Sequence, residues 1–593
     1  MKKKQMKASL LLVSLLTAGF LVTGCTNDDY DFDQIDATMG FGGGELEIPV
    51  SSTMNIPLSD ILELEENGSV KIAANGDYLF QLTGTDATTA SPQISPIHLT
   101  GRSYTNTINL STSSTAKGTR AAGTHLSFVS PKQQMFVYNG TDAAVKSLKS
   151  AEVNGEIELI VNLALNGLSS AINTIDKATI NLPGYLQISS VNGNGNGVPM
   201  VNGSKITVEN VSTSRNLQLT IKAKKLDFAN QDAYGKVVID NHNGSITMDG
   251  YFDLGIEAHV TGVPTSALSI GANVKVNDIY LKSATGIFDP EINITSLGDV
   301  TVTGVPDFLS EDGVRADLDN PQIILSIKND MDAAAKVSAK VISTKNGQNL
   351  ATVQLPEMHI YKTSLTPVTK ICICRHKTAE LTTQYGAANV YEVSNLATLI
   401  NKHIPDHVQI TDVVAKADLS QEMTIEFGRN YNVEPSYEVY APLAFAEGAV
   451  IEYADDFDGW NDDLDELELA EGSYLRLTAD AQNLVPATLI VEATPLGVNG
   501  ADISNQIEVN IKQGTVKASA DGVTAVTSPL EIELREKVKG ALQKLDGLSY
   551  KVKGKASHDG TTVTGINLNS KKHTLKLENI KVKLVGKVIG NFN

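Results

Sequence analysis

Apolar and polar residues alternate along most of the chain, in runs of five to eight positions separated by Asn-Gly, Asp-Gly and Gly-Asn pairs. Clear examples are residues 156–162, 205–208, 217–221 and 323–327. A period of two between turn residues is typical of half-buried strands in antiparallel sheets. The pattern predicts an all-β protein with a few short helices, built from tandem antiparallel β-sandwich-like domains.

Two stretches have a helical period instead. Residues 394–403 place apolar side chains three or four positions apart, and so do residues 530–545. The apolar faces consist of Leu396, Leu399 and Ile400 in the first stretch and of Leu534, Val538, Leu542 and Leu545 in the second. This spacing predicts a short helix in each stretch, followed at once by an acidic turn and a strand.

The second half of the chain contains an internal repeat. The residues around Asn329 line up with those around Asn483, and further along Val439 lines up with Val582. Landmarks in the same order at similar spacing predict a duplicated module. Each copy has the order strand, Asn, strand and Asn-Gly, which is similar to the small sandwich of the late-embryogenesis-abundant and water-stress family. This resemblance implies no chemistry.

The N-terminal residues have the pattern of a secretory signal. Four lysines within the first seven residues precede the apolar stretch 8–22, which is shorter than a membrane-spanning helix needs. Thr23 and Gly24 are small residues directly before Cys25. This arrangement resembles the lipobox of bacterial lipoproteins. The resemblance implies cleavage between Gly24 and Cys25 and acylation of the Cys25 thiol and of the new amine, so that several acyl chains hold a soluble body on its membrane.

An acidic, glycine-rich segment follows Cys25. Its carboxylates are Asp28, Asp29, Asp31, Asp33 and Asp36. Sequence of this composition cannot bury a core, which predicts a solvated tether. Acidic residues just after the acylated cysteine also resemble the export signal that sends lipoproteins of the Bacteroidota to the cell surface. The resemblance implies a lipid-anchored protein of the outer membrane with its body exposed on the cell surface.

These features divide the chain into six segments, with boundaries that are soft by several residues. We predict a signal peptide at 1–24, a tether at 25–44, an N-terminal β domain at 45–150, a middle β domain at 151–263, a β module with a short helix (repeat A) at 264–470, and a β module with a helix (repeat B) at 471–593.

The composition excludes some classes of partner. The formal net charge is −20, and it becomes more negative when the signal with its four lysines is removed. Such a surface repels nucleic acid and anionic headgroups, so we predict no nucleic-acid binding. Trp460 is the single tryptophan, and a strong glycan-stacking site is therefore not indicated, although seventeen tyrosines leave room for one.

Two cysteines remain beside Cys25. Cys372 and Cys374 are two positions apart, which places both side chains on one face of a strand but too close in sequence for an easy disulfide. We predict that they are small buried apolar residues. The chain must then be stabilised by core burial and not by a disulfide framework.

The densest acidic segment is residues 453–472. Its Asp-x-Asp-Gly sequence is typical of a calcium loop, but with Gly459 as the sixth loop position the first is Ala454 and the twelfth is Asp465 and not Glu. A solvated acidic loop is the favoured interpretation, and calcium binding is the alternative. No metal or other cofactor is predicted.

His403 and His407 have the spacing of two helical zinc ligands. Pro405 between them breaks a helix, and no glutamate follows His403, so we interpret both as surface histidines at a helix end. The glycines Gly193, Gly195 and Gly197 resemble a phosphate-binding loop, but a strand follows them and not a helix N-terminus. We therefore predict a hairpin turn there.

Lysines alternate with apolar residues in the C-terminal strands, namely Lys551, Lys553 and Lys555 and then Lys581 and Lys583. A solvated sheet face with edge-protecting lysines accounts for the pattern, and an anion-binding patch is the alternative. Residues 111–123 form a polar, small-residue stretch that predicts a surface loop open to proteolysis. Arg120 within it is a candidate processing site, as in the lipoprotein pilins of the Bacteroidota.

No nucleophile elbow, P-loop or kinase signature occurs in the sequence. We therefore predict a non-enzymatic lipoprotein of the cell envelope or surface, with a binding or structural role and a glycan or a protein as its partner. One alternative is a fimbrial, pilin-like subunit. Another is a polysaccharide-acting hydrolase or glycan-binding accessory protein, which as an enzyme would need two carboxylates facing each other across a cleft.

Overall fold

The computed structural model describes most of the chain. The residues described are 38–591, except for 50–52, 63, 66–67, 85–86, 88, 111–124, 169–170, 262–267, 295, 307–308, 310–312, 402 and 465–467. The predicted signal peptide, Gly24, Cys25, Arg120 and part of the acidic segment 453–472 lie outside the described residues.

Strands account for most of the described residues. Four of them form an N-terminal segment: β1 (Thr38–Pro49), β2 (Met54–Pro57), β3 (Val70–Ile72) and β4 (Tyr78–Thr83), with the one-turn helix α1 (Leu58–Ile61) between β2 and β3.

Fourteen strands follow in the first β body. They are β5 (His98–Gly101), β6 (Ser103–Asn109), β7 (His125–Val129), β8 (Gln133–Thr141), β9 (Val145–Ala164), β10 (Thr174–Asn181), β11 (Leu186–Gly193), β12 (Val198–Asn202), β13 (Lys205–Ser212), β14 (Leu217–Asp227), β15 (Gly235–Asp240), β16 (Ser245–His259), β17 (Ser269–Val276) and β18 (Ile279–Phe288). Two 3-10 turns, Asn166–Leu168 and Phe228–Asn230, lie among them.

The next ten strands are β19 (Ser296–Thr301), β20 (Gln322–Asn329), β21 (Ala335–Lys345), β22 (Gln348–Gln354), β23 (Met358–Ile360), β24 (Val368–Cys374), β25 (Val390–Glu392), β26 (His407–Ala417), β27 (Met423–Glu426) and β28 (Val433–Pro442). The helix α2 (Ala379–Tyr385) and the 3-10 turns Ala387–Asn389 and Leu396–Leu399 connect them.

The remaining strands are β29 (Val450–Phe457), β30 (Glu468–Leu469), β31 (Tyr474–Asn483), β32 (Thr488–Gly497), β33 (Ala501–Asp502), β34 (Ile507–Gln513), β35 (Thr515–Val516), β36 (Val526–Glu536), β37 (Leu545–Lys555), β38 (Ser557–His558), β39 (Thr561–Thr562) and β40 (Thr574–Asn591). The helix α3 (Asn461–Leu464) and the 3-10 turns Val498–Gly500 and Leu542–Lys544 lie between these strands.

The fold is all-β with several antiparallel sheets packed as sandwiches, as the alternating pattern predicted. The first β body is one fifteen-stranded arrangement in the order β11-β14-β9-β18-β5-β8-β16-β10-β13-β12, with side strands that include β27. Its long strand β9 shows why alternation gives this fold. Ile157, Leu159 and Val161 point into the core, while Glu158 between them lies opposite Lys222 of β14 on the solvent side.

Two further sandwiches share one strand order. Sandwich A has the sheets β25-β24-β20-β28-β4-β3 and β19-β26-β21-β22. Sandwich B has the sheets β34-β36-β31-β40-β1 and β29-β37-β32-β33. The centre of each first sheet corresponds strand by strand (β24, β20, β28 and β4 with β36, β31, β40 and β1), and the second sheets correspond throughout.

The pairing register places the aligned residues of the two repeats in equivalent positions. Ile323 pairs with Val439 in sandwich A, and Leu477 pairs with Val582 in sandwich B. Each second sheet also carries an Asn-Gly turn with both residues at positive φ, Asn346 (51°) with Gly347 (74°) and Asn499 (67°) with Gly500 (73°). Asn tolerates this left-handed backbone and Gly adopts it without steric cost, so these pairs fix where each strand reverses.

The N-terminal segment is distributed between the two sandwiches. β1 and β2 pair with β40 at the edge of sandwich B, and β4 pairs with β28 in sandwich A. Residues 38–44, predicted as part of the tether, are the first part of β1. Strands within the predicted N-terminal domain 45–150 therefore belong to three different sheets.

The two predicted helices have different outcomes. Residues 394–403 contain the 3-10 turn Leu396–Leu399, which buries both of its leucines. The helix predicted at 530–545 is wrong, because its first half is strand β36. Leu530, Ile532 and Leu534 also alternate with period two, and β36 finds hydrogen-bonding partners on both sides in β31 and β34.

Candidate functional site

The acidic segment 453–472 begins in strand β29, continues through a turn and α3, and includes strand β30 near its end. Its first residues belong to β29, which pairs with β37. The carboxylate that organises the following turn is Asp546, which accepts hydrogen bonds from the backbone N–H groups of Gly459 (3.2 Å) and Asn461 (3.1 Å). Within the described residues, no three His, Cys, Asp or Glu side chains are grouped to hold a metal ion.

His403 and His407, which have the sequence spacing of two zinc ligands, do not lie in one element, because strand β26 begins at His407. His403 is exposed, and His407 begins β26, where its Nδ1 lies 3.0 Å from the Asp299 carboxylate. The structure therefore does not bring the two imidazoles together on one helix.

The hairpin predicted at Gly193–Gly197 is wrong, because β11 pairs with β14 while β12 pairs with β13. The loop joins opposite ends of the strand order. The buried Asn196 side chain holds it there, donating to the carbonyls of Ser212 (3.0 Å) and Arg215 (3.1 Å). Because the Asn196 side chain is fully engaged in these hydrogen bonds, we interpret the loop as a structural connection between β11 and β12.

Two of the C-terminal lysines, Lys551 and Lys553, lie in ion pairs. Lys551 contacts Glu452, and Lys553 Nζ lies 2.8 Å from Glu492 Oε1. The lysine-rich face of β37 is thus matched by glutamates of the strands on either side, which favours the solvated-face interpretation over an anion-binding patch.

Cys372 and Cys374 are unpaired and buried, as predicted. Together with Ile324, Leu381 and Val390 they form a small apolar cluster beneath α2. They act as small core residues under a helix.

A buried carboxylate lies in a cluster of cations on the outer face of sandwich B. The Glu533 side chain is 4% exposed, and its oxygens lie 2.9 Å from Arg535, 3.3 Å from Arg476 and 3.8 Å from Lys512. The Arg535 guanidinium also stacks 3.5 Å from the centroid of the Tyr474 ring. Burial opposes ionisation, but the hydrogen bonds and positive charges of Arg535, Arg476 and Lys512 outweigh it and hold the pKa of Glu533 below its usual range.

We expect Glu533→Gln to lower the free energy of unfolding by about 2–3 kcal/mol, because the cations lose the carboxylate that neutralises them. Since the folded-state pKa of Glu533 is depressed, its contribution is present above about pH 4.5 and falls as the pH drops below that value. Urea titrations at pH 7 and pH 4 measure both effects. The control is Glu508→Gln, an exposed glutamate of the neighbouring strand β34, which should change stability by less than about 1 kcal/mol. Equal effects of the two variants would contradict the assignment.

A buried histidine joins distant parts of the chain. His573 Nδ1 accepts a hydrogen bond from the Asn569 N–H at 3.0 Å, and Asn569 Nδ2 in turn donates to Asp77 at 2.7 Å. Burial lowers the pKa of His573, although a hydrogen bond to the Gly522 carbonyl partly opposes this. His573 therefore serves as a neutral acceptor in the contact between the 567–573 loop and the N-terminal segment.

The pH dependence of stability follows from this neutral histidine. Below about pH 6.5 the unfolded chain takes up a proton at His573 that the folded chain resists, so stability should fall as the pH decreases from 6.5 towards 5. Denaturant titrations across this range should show a smaller slope for His573→Gln than for the native protein. The exposed His359→Gln variant should keep the native slope. An unchanged slope in His573→Gln would rule the histidine out as the cause.

An apolar cavity of about 50 Å³ lies between the two sheets of sandwich A. Its walls include Ile327 of β20, Val337 of β21 and Met358 of β23. Several lining residues are alanines, namely Ala333, Ala334, Ala335, Ala339, Ala415 and Ala417. Small side chains at so many core positions leave space that larger residues would fill.

Glu533, His573 and this cavity were not predicted from the sequence. Glu531, Glu533 and Arg535 alternate, so a strand places them on one face beside Arg476, whereas the predicted helix dispersed them. No sequence pattern indicated His573. The cavity did have a signal in the sequence, because the alignment of the two repeats pairs Ala335 with the larger residue Leu489.

The structure is similar to the crystal structure of a predicted secreted protein from Parabacteroides distasonis, with a TM-score of 0.35 and 14% sequence identity, over 51% of this chain and 90% of that chain. No protein-family model and no curated protein matches the sequence. None of the helices in the described part of the chain is long and apolar enough to cross a lipid bilayer.

Proposed function

We propose that the protein is a lipoprotein of the outer membrane, anchored through Cys25 and exposed on the cell surface, whose body has a binding or structural role and no catalytic one. The observation that carries the proposal is the position of β1. Twelve residues separate Cys25 from Thr38, where β1 begins and pairs with β40. Fully extended, this stretch spans about 45 Å, so the anchor would hold a folded β body close to its membrane.

The state of the ionisable groups supports a non-enzymatic role. Glu533 is neutralised by two arginines and a lysine, and burial keeps His573 neutral while its Nδ1 accepts a hydrogen bond from the Asn569 N–H. Lys551 and Lys553 are paired with glutamates. Groups engaged in this way stabilise the sheets and are not poised to act on a substrate. The partner of such a body would be a glycan or a protein, recognised by loops and exposed strand edges.

Protease shaving of intact cells tests the proposed location. Cells expressing the native protein are compared with cells expressing Cys25→Ala, with a periplasmic protein as the marker. We expect the native body to be shaved while the marker survives, and the native chain to carry acyl groups on Cys25 that the Cys25→Ala chain lacks in an intact-mass spectrum. Protection of the native body until the envelope is broken would overturn surface exposure, and a native chain without acyl groups would overturn the lipid anchor.

A polysaccharide assay tests the proposed absence of catalysis. The purified Cys25→Ala protein is incubated with soluble glycans, and reducing ends are measured beside retardation in affinity gels. Retardation without new reducing ends, or neither, agrees with the proposal. Release of reducing ends would make the protein a hydrolase.

A further inference from the structure

Sandwich B offers an internal comparison for the cavity of sandwich A, because the two share a strand order and a buried asparagine. Ala335 lies six residues after Asn329 and lines the cavity. At the equivalent position, six residues after Asn483, sandwich B has Leu489, which belongs to a buried cluster. The larger side chain fills the space that alanine leaves open.

The opposite sheet shows the same difference. Val433 pairs with Asn329 and lines the cavity, whereas Leu575 pairs with Asn483 and packs against the core. Two residues further along the strands, Pro435 of sandwich A corresponds to Leu577 of sandwich B in the same way. Leucines thus occupy three positions in sandwich B where sandwich A has smaller or cyclic side chains.

The lining determines what the cavity can hold. A buried water needs two to four polar partners, and Asn329, the polar side chain in the lining, already bonds to Ala333 O and Met331 N. A water there would find few remaining partners, so the cavity should stay dry. An engineered apolar cavity of about 150 Å³ accepts benzene. At about 50 Å³ this cavity suits a thinner group.

The lining approaches the surface beside β26. Ile292, Val413 and Ala415 are half-buried members of the lining. β19 pairs with β26 only as far as Thr411, so the rest of β26 is paired along its other edge, to β21. The lining therefore comes nearest to solvent through apolar side chains at the edge of a sheet.

We propose that sandwich A binds the end of an unbranched alkyl chain between its two sheets. The same chemistry is present in a free fatty acid, in a membrane lipid and in the acyl groups proposed at Cys25. Binding of a free fatty acid or of a membrane lipid does not depend on the proposed function. Binding of the protein's own acyl groups does rest on it, because those groups are proposed at Cys25.

Methionine methyl signals provide a local readout. Met331 and Met358 line the cavity, whereas Met200 is exposed on β12 and Met248 is buried in the first β body. With 13C-methyl methionine in the full-length Cys25→Ala protein, titration with octanoate should shift the Met331 and Met358 signals in a saturable way. The signals of Met200 and Met248 should stay in place. Xenon, a smaller probe, should shift the same two signals.

Ala335→Leu tests the site by filling it as sandwich B does. We expect octanoate affinity to fall at least tenfold and the Met331 and Met358 shifts to disappear, with Met248 unchanged as a sign that the protein is folded. The matched control is Ala379→Leu on the exposed face of α2, which should bind as the parent does. Shifts that persist in Ala335→Leu would overturn the proposal. If that variant does not fold, failure of octanoate and xenon to shift Met331 and Met358 in the parent protein would overturn it equally.

A comparison in lipid nanodiscs distinguishes the sources. Shifts of Met331 and Met358 in both the acylated protein and added Cys25→Ala protein assign the alkyl chain to membrane lipid. Shifts in the acylated protein alone assign it to the protein's own acyl groups. No shift in either, with octanoate still binding in solution, assigns it to a free fatty acid. Each outcome supports the alkyl site, while failure of the lipid anchor would appear separately in the intact-mass spectrum.

Discussion

Replacing Asn483 by alanine should lower the free energy of unfolding by about 3–4 kcal/mol. The side chain is fully buried where β31 ends. Its Oδ1 accepts from the Val485 N–H at 2.8 Å, and its Nδ2 donates to the carbonyls of Ala487 and Lys517, both at 3.0 Å. Alanine would leave two buried backbone groups and the part-buried Lys517 carbonyl without this partner, and each unsatisfied buried group costs about 1–3 kcal/mol. Urea denaturation at pH 7 measures the loss.

The equivalent residue of sandwich A is the matched comparison. Asn329 makes the same two local bonds, accepting from Met331 N at 2.9 Å and donating to Ala333 O at 3.2 Å. Asn329→Ala should therefore cost about 2 kcal/mol, less than Asn483→Ala. If both variants stay within about 0.5 kcal/mol of the native protein, the asparagines do not hold the strand ends.

Phe80→Ala should cost a similar amount, about 3–4 kcal/mol, although Phe80 lies in the N-terminal segment. Its side chain is 5% exposed and packs in a cluster with Leu443 and Leu568 from distant parts of the chain. Removing the ring leaves a cavity at the junction of three segments. Thermal and urea denaturation of the variant test the expectation.

Lys71→Ala is the control for Phe80→Ala, because Lys71 is exposed on the neighbouring strand β3. It should change stability by less than about 0.5 kcal/mol. A neutral Phe80→Ala would mean that the N-terminal segment contributes no core to the two sandwiches.

The class of fold followed from the sequence because alternation is a local property. In the first β body, the alternation of apolar and polar residues within a strand identifies the face that is buried, as Ile157 and Glu158 illustrate. The repeat around Asn329 and Asn483 was also visible, since an asparagine that ends a strand and an Asn-Gly turn carry local backbone information.

Strand partners were not predictable in the same way. Nothing in residues 38–49 distinguishes β40 as their partner from any other alternating strand, because backbone hydrogen-bonding groups are identical along every edge. The helix predicted at 530–545 failed because Leu534 fits a period of 3.6 with Val538 and Leu542 as well as a period of two with Ile532. Only its neighbours in the sheet decide between them.

The pairing of β1 with β40 constrains the order of events after synthesis. Thr38 lies opposite Asn591. β1 is synthesised early, but its partner β40 is complete only when synthesis has reached residue 591. Closing so long a loop carries an entropic cost of about 5–6 kcal/mol before any pairing offsets it. Topologies dominated by such distant contacts fold slowly. Export through the proposed signal 1–24 would require an unfolded chain, and a sheet that cannot close early would leave time for that passage.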